Sequence, residues 1–157
     1  MIKPIPEGFH SLTPMFMFKD ARKAIDFYKS AFGAQERYTM PGPDGKGVMH
    51  AEVLVGDSII MMGDENPHES CKSAETIGGS PISFYLYVDN VDAAFRRAVE
   101  AGAKVQMEVQ EMFWGDRCGS VQDPFGYNWM IGTHTRDLTS EEIQEGAKAA
   151  FTEMSRS

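Results

Sequence analysis

The same order of hydrophobic patterns occurs twice along this chain. Each half begins with an alternating segment, continues with apolar residues three and four positions apart, and ends with three more extended segments. In the first half these segments are 12–18, 20–32, 35–40, 48–55 and 58–62, and in the second 82–88, 92–101, 104–113, 120–122 and 127–132. Alternation is typical of strands, and the wider spacing is typical of amphipathic helices. The pattern therefore predicts the order βαβββ in each half.

Residues at the ends of the two predicted helices support the repeat. Asp20 and Asp89 precede the helices, and Gly33 and Gly102 follow them at the same separation. Aspartate caps helix N-termini, and glycine tolerates the positive φ found at helix C-termini. Two similar modules can enclose one cavity, so we expect the functional site between them.

The segment between the halves is polar and rich in glycine, without hydrophobic periodicity. We interpret residues 66–81 as a linker between module 9–65 and module 82–134, which together form a single domain at 9–134.

An amphipathic helix is predicted after the second module, at 139–156. Thr139 and Glu142 form a capping-box pattern at its start. Its apolar residues are Ile143, Ala147, Ala150, Phe151 and Met154. This face packs either on its own domain or on a second subunit, and the sequence favours neither.

Composition narrows the classes of partner. The chain has 15 Lys+Arg against 23 Asp+Glu in 157 residues, a net charge of −8. An acidic balance disfavours nucleic acids and anionic membranes, which bind basic surfaces. The sequence has neither a membrane-length apolar run nor a signal-peptide pattern, so we expect a cytoplasmic protein. Cys71 and Cys118 are far apart, and we expect two free thiols.

Several motifs resemble those of a known superfamily. The tandem modules, the residues Lys19-Asp20, Phe27-Tyr28 and Phe32-Gly33, and the Asp-Pro-Phe-Gly-Tyr sequence at 123–127 resemble the vicinal oxygen chelate superfamily. This superfamily includes glyoxalase I, extradiol dioxygenases, and fosfomycin and bleomycin resistance proteins. Three further motifs, at 50–52, 56–58 and 114–117, are similar to its PhnB-like branch. The resemblance implies an α+β fold, with a curved mixed sheet around a cavity, and a homodimer.

The resemblance also implies where a metal would bind. In metal-dependent members, each module gives two His or Glu ligands, one on its first strand and one on its last. The equivalent positions here are Thr13, Met61 (or Ile60), Ser83 and Met130. Hydroxyls and thioethers hold divalent ions poorly, so we predict no metal and no cofactor. Glyoxalase and dioxygenase activities both need the metal and are therefore not expected.

Strand alternation extends these positions into a predicted cavity wall. Side chains two apart on a strand share a face, and this rule gives an apolar wall with scattered hydroxyls. The predicted wall consists of Thr13, Met15, Met17, Met61, Ser83, Tyr85, Tyr87 and Met130. Methionine and tyrosine suit a pocket for flat or apolar molecules. The alternative is that these methionines only fill the core.

Two further pairs are candidate site residues. His50 and Glu52 share a strand face and are candidates for acid–base groups or ligand contacts, or else form a weak surface ion pair. Trp114 and Arg117 flank a Gly-Asp turn and are candidates to clamp a planar anion. In the alternative, Trp114 packs on the core and the turn faces solvent. The other histidines, His10, His68 and His134, lie at predicted ends or in loops and have no ligand partners at a useful spacing.

Together these observations predict a metal-independent, homodimeric binding protein for a small apolar or aromatic ligand, such as an antibiotic or metabolite that it sequesters. The alternative is an enzyme of the same superfamily, a lyase, isomerase or transferase, that uses His50 and Glu52 or a metal at a non-standard site.

Overall fold

The computed structural model describes residues 2–155. The first module contains β1 (Met15–Phe18), α1 (Ala21–Phe32), β2 (Gln35–Met40), β3 (His50–Val55) and β4 (Ser58–Asp64). A short helix follows, α2 (Ala74–Ile77). The second module contains β5 (Ser83–Tyr87), α3 (Val91–Ala101), β6 (Lys104–Glu111), β7 (Asp116–Gln122) and β8 (Asn128–His134). The last helix is α4 (Ser140–Met154).

The strands form two mixed sheets with the same topology. Their orders are β1-β4-β3-β2 and β5-β8-β7-β6. In each sheet the first strand pairs in parallel with the last, and the other pairs are antiparallel. The α+β class and the repeated βαβββ order are thus confirmed.

The helices of the two modules, α1 and α3, both end at the glycine that the sequence predicts. The Asp20 side chain accepts a hydrogen bond from Lys23 N, and Gly33 has a φ of 67° at the other end of α1. At α3 the capping side chain is Asn90, one residue after Asp89, the counterpart of Asp20 in the repeat, and Gly102 has a φ of 120°. Both C-terminal positions need the left-handed conformation that glycine tolerates best.

An aromatic core joins the two modules. The ring of Phe16 on β1 lies 4.5 Å from Phe84 on β5 and 4.8 Å from Tyr127, measured between centroids. The buried Asp123 carboxylate accepts hydrogen bonds from Tyr28 Oη (2.6 Å) and Trp129 Nε1 (3.0 Å). The sequence at 123–127, on which the superfamily resemblance rests, therefore links α1 of the first module to β8 of the second.

The largest differences from the sequence prediction are at β7 and in the linker. The strand predicted at 120–122 begins four residues earlier, at Asp116. Its start has no hydrophobic alternation, since it begins with Asp116 and Arg117 and contains Gly119, where a Cβ would lie 2.7 Å from the Phe95 ring. The linker contains α2, which the sequence pattern did not predict. Its N-cap Ser73 is buried, and Ser73 N donates to Glu65 Oε2 at 2.7 Å.

The C-terminal helix has its predicted capping box, with Thr139 and Glu142 bonded reciprocally. It contacts its own domain where Gly146 approaches Phe113 so closely that a Cβ would lie 3.0 Å from Phe113 Cβ. Phe151, further along, is largely exposed. Residue 156, the end of the predicted helix, lies outside the described residues. Within residues 2–155, no helix is both long and apolar enough to cross a membrane.

Candidate functional site

Each sheet has one face covered by helices and one that is partly exposed. On β1, Phe16 and Phe18 are buried, whereas Met15 is 61% exposed. On β5, Phe84 and Leu86 pack against the core, whereas Tyr85 and Tyr87 are exposed. We call the uncovered face of the first sheet the first open face; it carries Met15, Met17, His50, Glu52 and Met61. We call that of the second sheet the second open face; it carries Ser83, Tyr85, Tyr87, Asp116, Met130 and His134.

The strand register places equivalent residues of the modules at equivalent points of the two open faces. Met61 lies opposite Met15 in the first sheet, and Met130 lies opposite Tyr85 in the second. The alternation that defined the predicted wall is therefore present in the structure. Whether these side chains bind a ligand remains a prediction.

The donor chemistry at the positions equivalent to the metal ligands does not fit a divalent ion. Two of the four are the thioethers Met61 and Met130, and the other two are hydroxyls. The Thr13 hydroxyl already donates to the His10 carbonyl at 3.1 Å. Among residues 2–155, no three His, Cys, Asp or Glu side chains are grouped as a metal site would require. We therefore derive no chemistry through a metal here.

Six of the eight residues of the predicted wall line three cavities of the single chain. Thr13, Glu52 and Met61 line one of about 390 Å³ beneath N-terminal residues. One of about 130 Å³ is lined by Met15, Met17 and His50, beside the linker residue Cys71. A third, of about 510 Å³, includes Tyr85 and Tyr87. None of these three includes Ser83, Trp114, Arg117 or Met130.

The predicted pair on β3 lies close together. His50 Nε2 is 3.6 Å from Glu52 Oε1, and both side chains are about a quarter exposed. This separation allows an ion pair when His50 is protonated, but it exceeds a direct hydrogen bond. The two residues line different cavities.

The most concentrated group of polar contacts on the second open face centres on Asp116. This residue is 2% exposed. Its Oδ2 accepts from Tyr85 Oη (2.7 Å), Tyr87 Oη (3.1 Å) and Trp114 Nε1 (3.2 Å). Its Oδ1 lies 2.8 Å from His134 Nδ1. A buried carboxylate with four such partners is compensated for lost hydration and fixes the rings around it.

His134 lies between two carboxylates. Its Nδ1 contacts Asp116, and its Nε2 lies 3.0 Å from Asp137 Oδ1. Only the protonated ring donates from both nitrogens, so the hydrogen bonds with Asp116 and then Asp137 raise the pKa of His134.

Asp116 and the two tyrosines are held in the protonation states that these hydrogen bonds require. Burial alone would raise the pKa of Asp116, but hydrogen bonds from His134, Tyr85, Tyr87 and Trp114 outweigh it and lower that pKa. Burial and the hydrogen bonds to Asp116 raise the pKa of Tyr85 and of Tyr87. At neutral pH the carboxylate is therefore charged and both phenols keep their protons.

Trp114 and Arg117 do not form a shared clamp in the structure. The Trp114 indole donates to Asp116, whereas the guanidinium of Arg117 donates to both carboxylate oxygens of Asp92 at 3.0 and 2.8 Å. Asp116 and Arg117 are neighbours on β7, so their side chains point to opposite faces. The Arg117 guanidinium lies on the helix side, 3.5 Å from Glu111.

Asp116 and His134 could not be recognised from the hydrophobic pattern, because both lie beyond the predicted ends of their strands. The sequence pattern predicts a turn at Asp116 and a last strand that ends at Gly132. In the structure Asp116 and His134 are register partners at the ends of β7 and β8. Met130, Gly132 and His134 are two residues apart along the strand and therefore share a face. Continuing this alternation past Gly132 would have placed His134 on the same face as Tyr87. His134 therefore has two carboxylate hydrogen-bond partners that the sequence pattern did not indicate.

Comparison with known proteins agrees with this fold. A model of the glyoxalase/bleomycin resistance protein/dioxygenase superfamily matches residues 11–131. The chain therefore belongs to this superfamily, and the resemblance noted in its sequence is confirmed.

Individual relatives support the same placement. The chain is 41% identical over 137 residues to an uncharacterised protein of Mycobacterium bovis, covering 85% of this chain and 90% of that protein. It matches the X-ray structure of an Arabidopsis thaliana gene product with 30% identity and a TM-score of 0.62, covering 78% and 98% of the two chains. A PhnB protein of Bacillus cereus, called a putative 3-demethylubiquinone-9 3-methyltransferase, matches with 18% identity and a TM-score of 0.62 over 79% and 99%. This last likeness shows the fold alone.

Proposed function

We propose that this protein is a metal-independent binding protein for a small apolar or aromatic molecule. The observation that carries the proposal is the chemistry of the open faces. Where the superfamily can place metal ligands, this chain has Thr13, Met61, Ser83 and Met130, and the surrounding side chains are methionines and tyrosines. Such surfaces bind flat and apolar molecules by dispersion and exclusion of water, and they offer a metal no strong ligand.

A homodimer would complete this site. In one chain the wall is divided among separate cavities, and Met15 (61% exposed) and Tyr87 (60% exposed) lie open. We propose that two chains bring open faces together around the ligand, because this would bury apolar surface that one chain leaves in water. We further propose that the protein acts in the cytoplasm, where Cys71 and Cys118 would stay reduced.

The test is a titration with N-phenyl-1-naphthylamine, a neutral aromatic dye that fluoresces in apolar sites, with and without EDTA. We expect saturable binding that EDTA leaves unchanged. Met15→Glu places a charge on the first open face, and we expect it to weaken binding at least tenfold. Ile77→Glu on α2 is the matched control, since Ile77 is also 61% exposed but lies outside the open faces; it should bind as the wild type does.

Two results would contradict the proposal. One is binding that EDTA abolishes. The other is near-stoichiometric metal in protein purified without chelator that is lost from the double variant His50→Ala/Glu52→Ala. That second result would favour the enzyme with a non-standard metal site. Equal dye binding by Met15→Glu and Ile77→Glu would instead place the site away from the first open face.

A further inference from the structure

Tyr85 and Tyr87 form a rigid pair of exposed rings on the second open face, which we call the tyrosine pair. Their ring centroids are 4.6 Å apart, with planes inclined by 33°. Tyr85 is 39% exposed and Tyr87 is 60% exposed. Both hydroxyls donate to the same oxygen, Oδ2 of Asp116. The rings are therefore fixed at their polar ends and against each other, while ring surface remains accessible.

The backbone of β8 beneath the tyrosine pair leaves room for the Tyr85 ring. A Cβ added to Gly132 on β8 would lie 2.6 Å from Tyr85 Oη and 2.9 Å from Tyr85 Cε1. Any larger residue would displace the Tyr85 ring from Asp116. Rings fixed before binding lose little side-chain entropy when a ligand stacks on them, so this surface is organised in advance for a planar group.

The electrostatics of the pair favour positive charge. Asp116 and Asp137 flank the single imidazole of His134, so these three groups carry net negative charge whether or not His134 is protonated. The neighbouring Arg117 is paired with Asp92 on the other side of the sheet. A phenol that donates to a carboxylate also has a more electron-rich ring, which strengthens its attraction for a cation.

We propose that the tyrosine pair is the subsite for a planar organic cation, such as a quaternised or protonated nitrogen heteroaromatic. The cation stacks on the exposed ring surface, and the Asp116 carboxylate behind the rings supplies the charge preference. This inference rests on the proposed function and narrows it, since it selects one charge class among aromatic ligands.

The experiment compares three bicyclic probes by isothermal titration calorimetry at pH 8 and low salt: 1-methylquinolinium, neutral 1-methylnaphthalene and anionic naphthalene-2-sulfonate. They have similar size and shape but different charge. We expect the cation to bind about tenfold more tightly than the neutral probe, the range of a partly exposed cation–π contact, and the anion to bind weakest.

Variants assign the preference to the tyrosine pair. Tyr87→Leu removes an exposed ring and should abolish the preference for the cation, and Asp116→Asn should reduce it while keeping a side chain of the same shape. Glu75→Gln removes an exposed charge on α2, away from the pair, and should leave the preference unchanged. Because Tyr87 is exposed, its variant tests the inference even if Asp116→Asn does not fold.

The outcomes separate this inference from the proposed function. Equal binding of the cation and the neutral probe would overturn the inference and leave apolar ligand binding intact. A preference for the cation that persists in Tyr87→Leu would also overturn it. Failure of all three probes to bind, together with no dye binding, would contradict both.

Discussion

Asp116 and Asp123 are both nearly buried in the second module, and each accepts hydrogen bonds from aromatic side chains. Asp123 joins the modules through Tyr28 and Trp129, whereas Asp116 orients two exposed tyrosines. Burial raises the pKa of Asp123 despite these hydrogen bonds. The same residue type thus stabilises the core from the turn after β7 and organises a candidate binding surface from the start of β7.

The hydrogen bond between Tyr28 and Asp123 gives a prediction about a single residue. Tyr28→Phe removes a donor from a buried carboxylate and fills the same space. We expect the free energy of unfolding to fall by about 1.5–3 kcal/mol, the range for hydrogen bonds to charged groups. Urea denaturation at pH 7 is the measurement.

Tyr38→Phe is the matched control, because Tyr38 is 51% exposed on β2. It should change the free energy of unfolding by less than about 0.5 kcal/mol. Equal effects of the two substitutions would show that the contact with Asp123 does not stabilise the fold.

Most of the elements could be predicted from the sequence because their hydrophobic periods and their flanking residues agree. The helix α1 has an apolar stripe, an Asp20 cap and Gly33 at its end, and each signal indicates the same boundaries. The start of β7 has no such agreement, since Gly119 interrupts its hydrophobic alternation and is required by a contact with Phe95 of α3 that the local sequence does not encode. The candidate cluster around Asp116 was missed for this reason.

The linker shows the same limitation. Its helix α2 has four residues, too few for a periodic pattern, and its start is held by a tertiary contact. Glu65 at the end of the first module accepts from Ser73 N at 2.7 Å and from Thr76 Oγ1 at 2.6 Å. The carboxylate therefore fixes a segment whose composition indicates only a loop.

This contact gives a prediction about pH. Hydrogen bonds from Thr76 and then Ser73 lower the pKa of Glu65 to about 2. Since the native pKa lies below the unfolded value of about 4.3, the contact stabilises the fold above about pH 4.3 and is lost as pH falls through about 2. A carboxyl-carbon NMR titration measures this pKa directly.

Thr76→Val removes the hydroxyl donor, so we expect it to move the pKa of Glu65 upward toward the unfolded value. Thr76→Ser keeps a hydroxyl and should keep the pKa low. If valine and serine give the same pKa for Glu65, the hydroxyl is not the cause of its shift.

At the scale of the whole molecule, the sequence predicted two modules but not how they meet. Alternation determines which side chains share a face, because it depends on local geometry alone. Packing between modules and between chains determines which faces enclose a cavity. A short sequence pattern does not encode this packing. This explains why all residues of the predicted wall except Thr13 lie on the open faces, while one chain distributes six of the eight among three cavities.

The aromatic core predicts that the two modules unfold as one unit. Phe16 of the first module is 1% exposed and packs against Phe84, Tyr127 and Trp129 of the second. Phe16→Ala should lower the free energy of unfolding by about 3–5 kcal/mol, as for other buried phenylalanines. Because Phe16 contacts both modules, hydrogen exchange should report the same loss in the slowest amides of β3 and β7.

Phe151→Ala, at a position 63% exposed on α4, should change either value by less than about 0.5 kcal/mol. Loss of protection in β3 with β7 unchanged would show instead that the modules are separate folding units that merely touch.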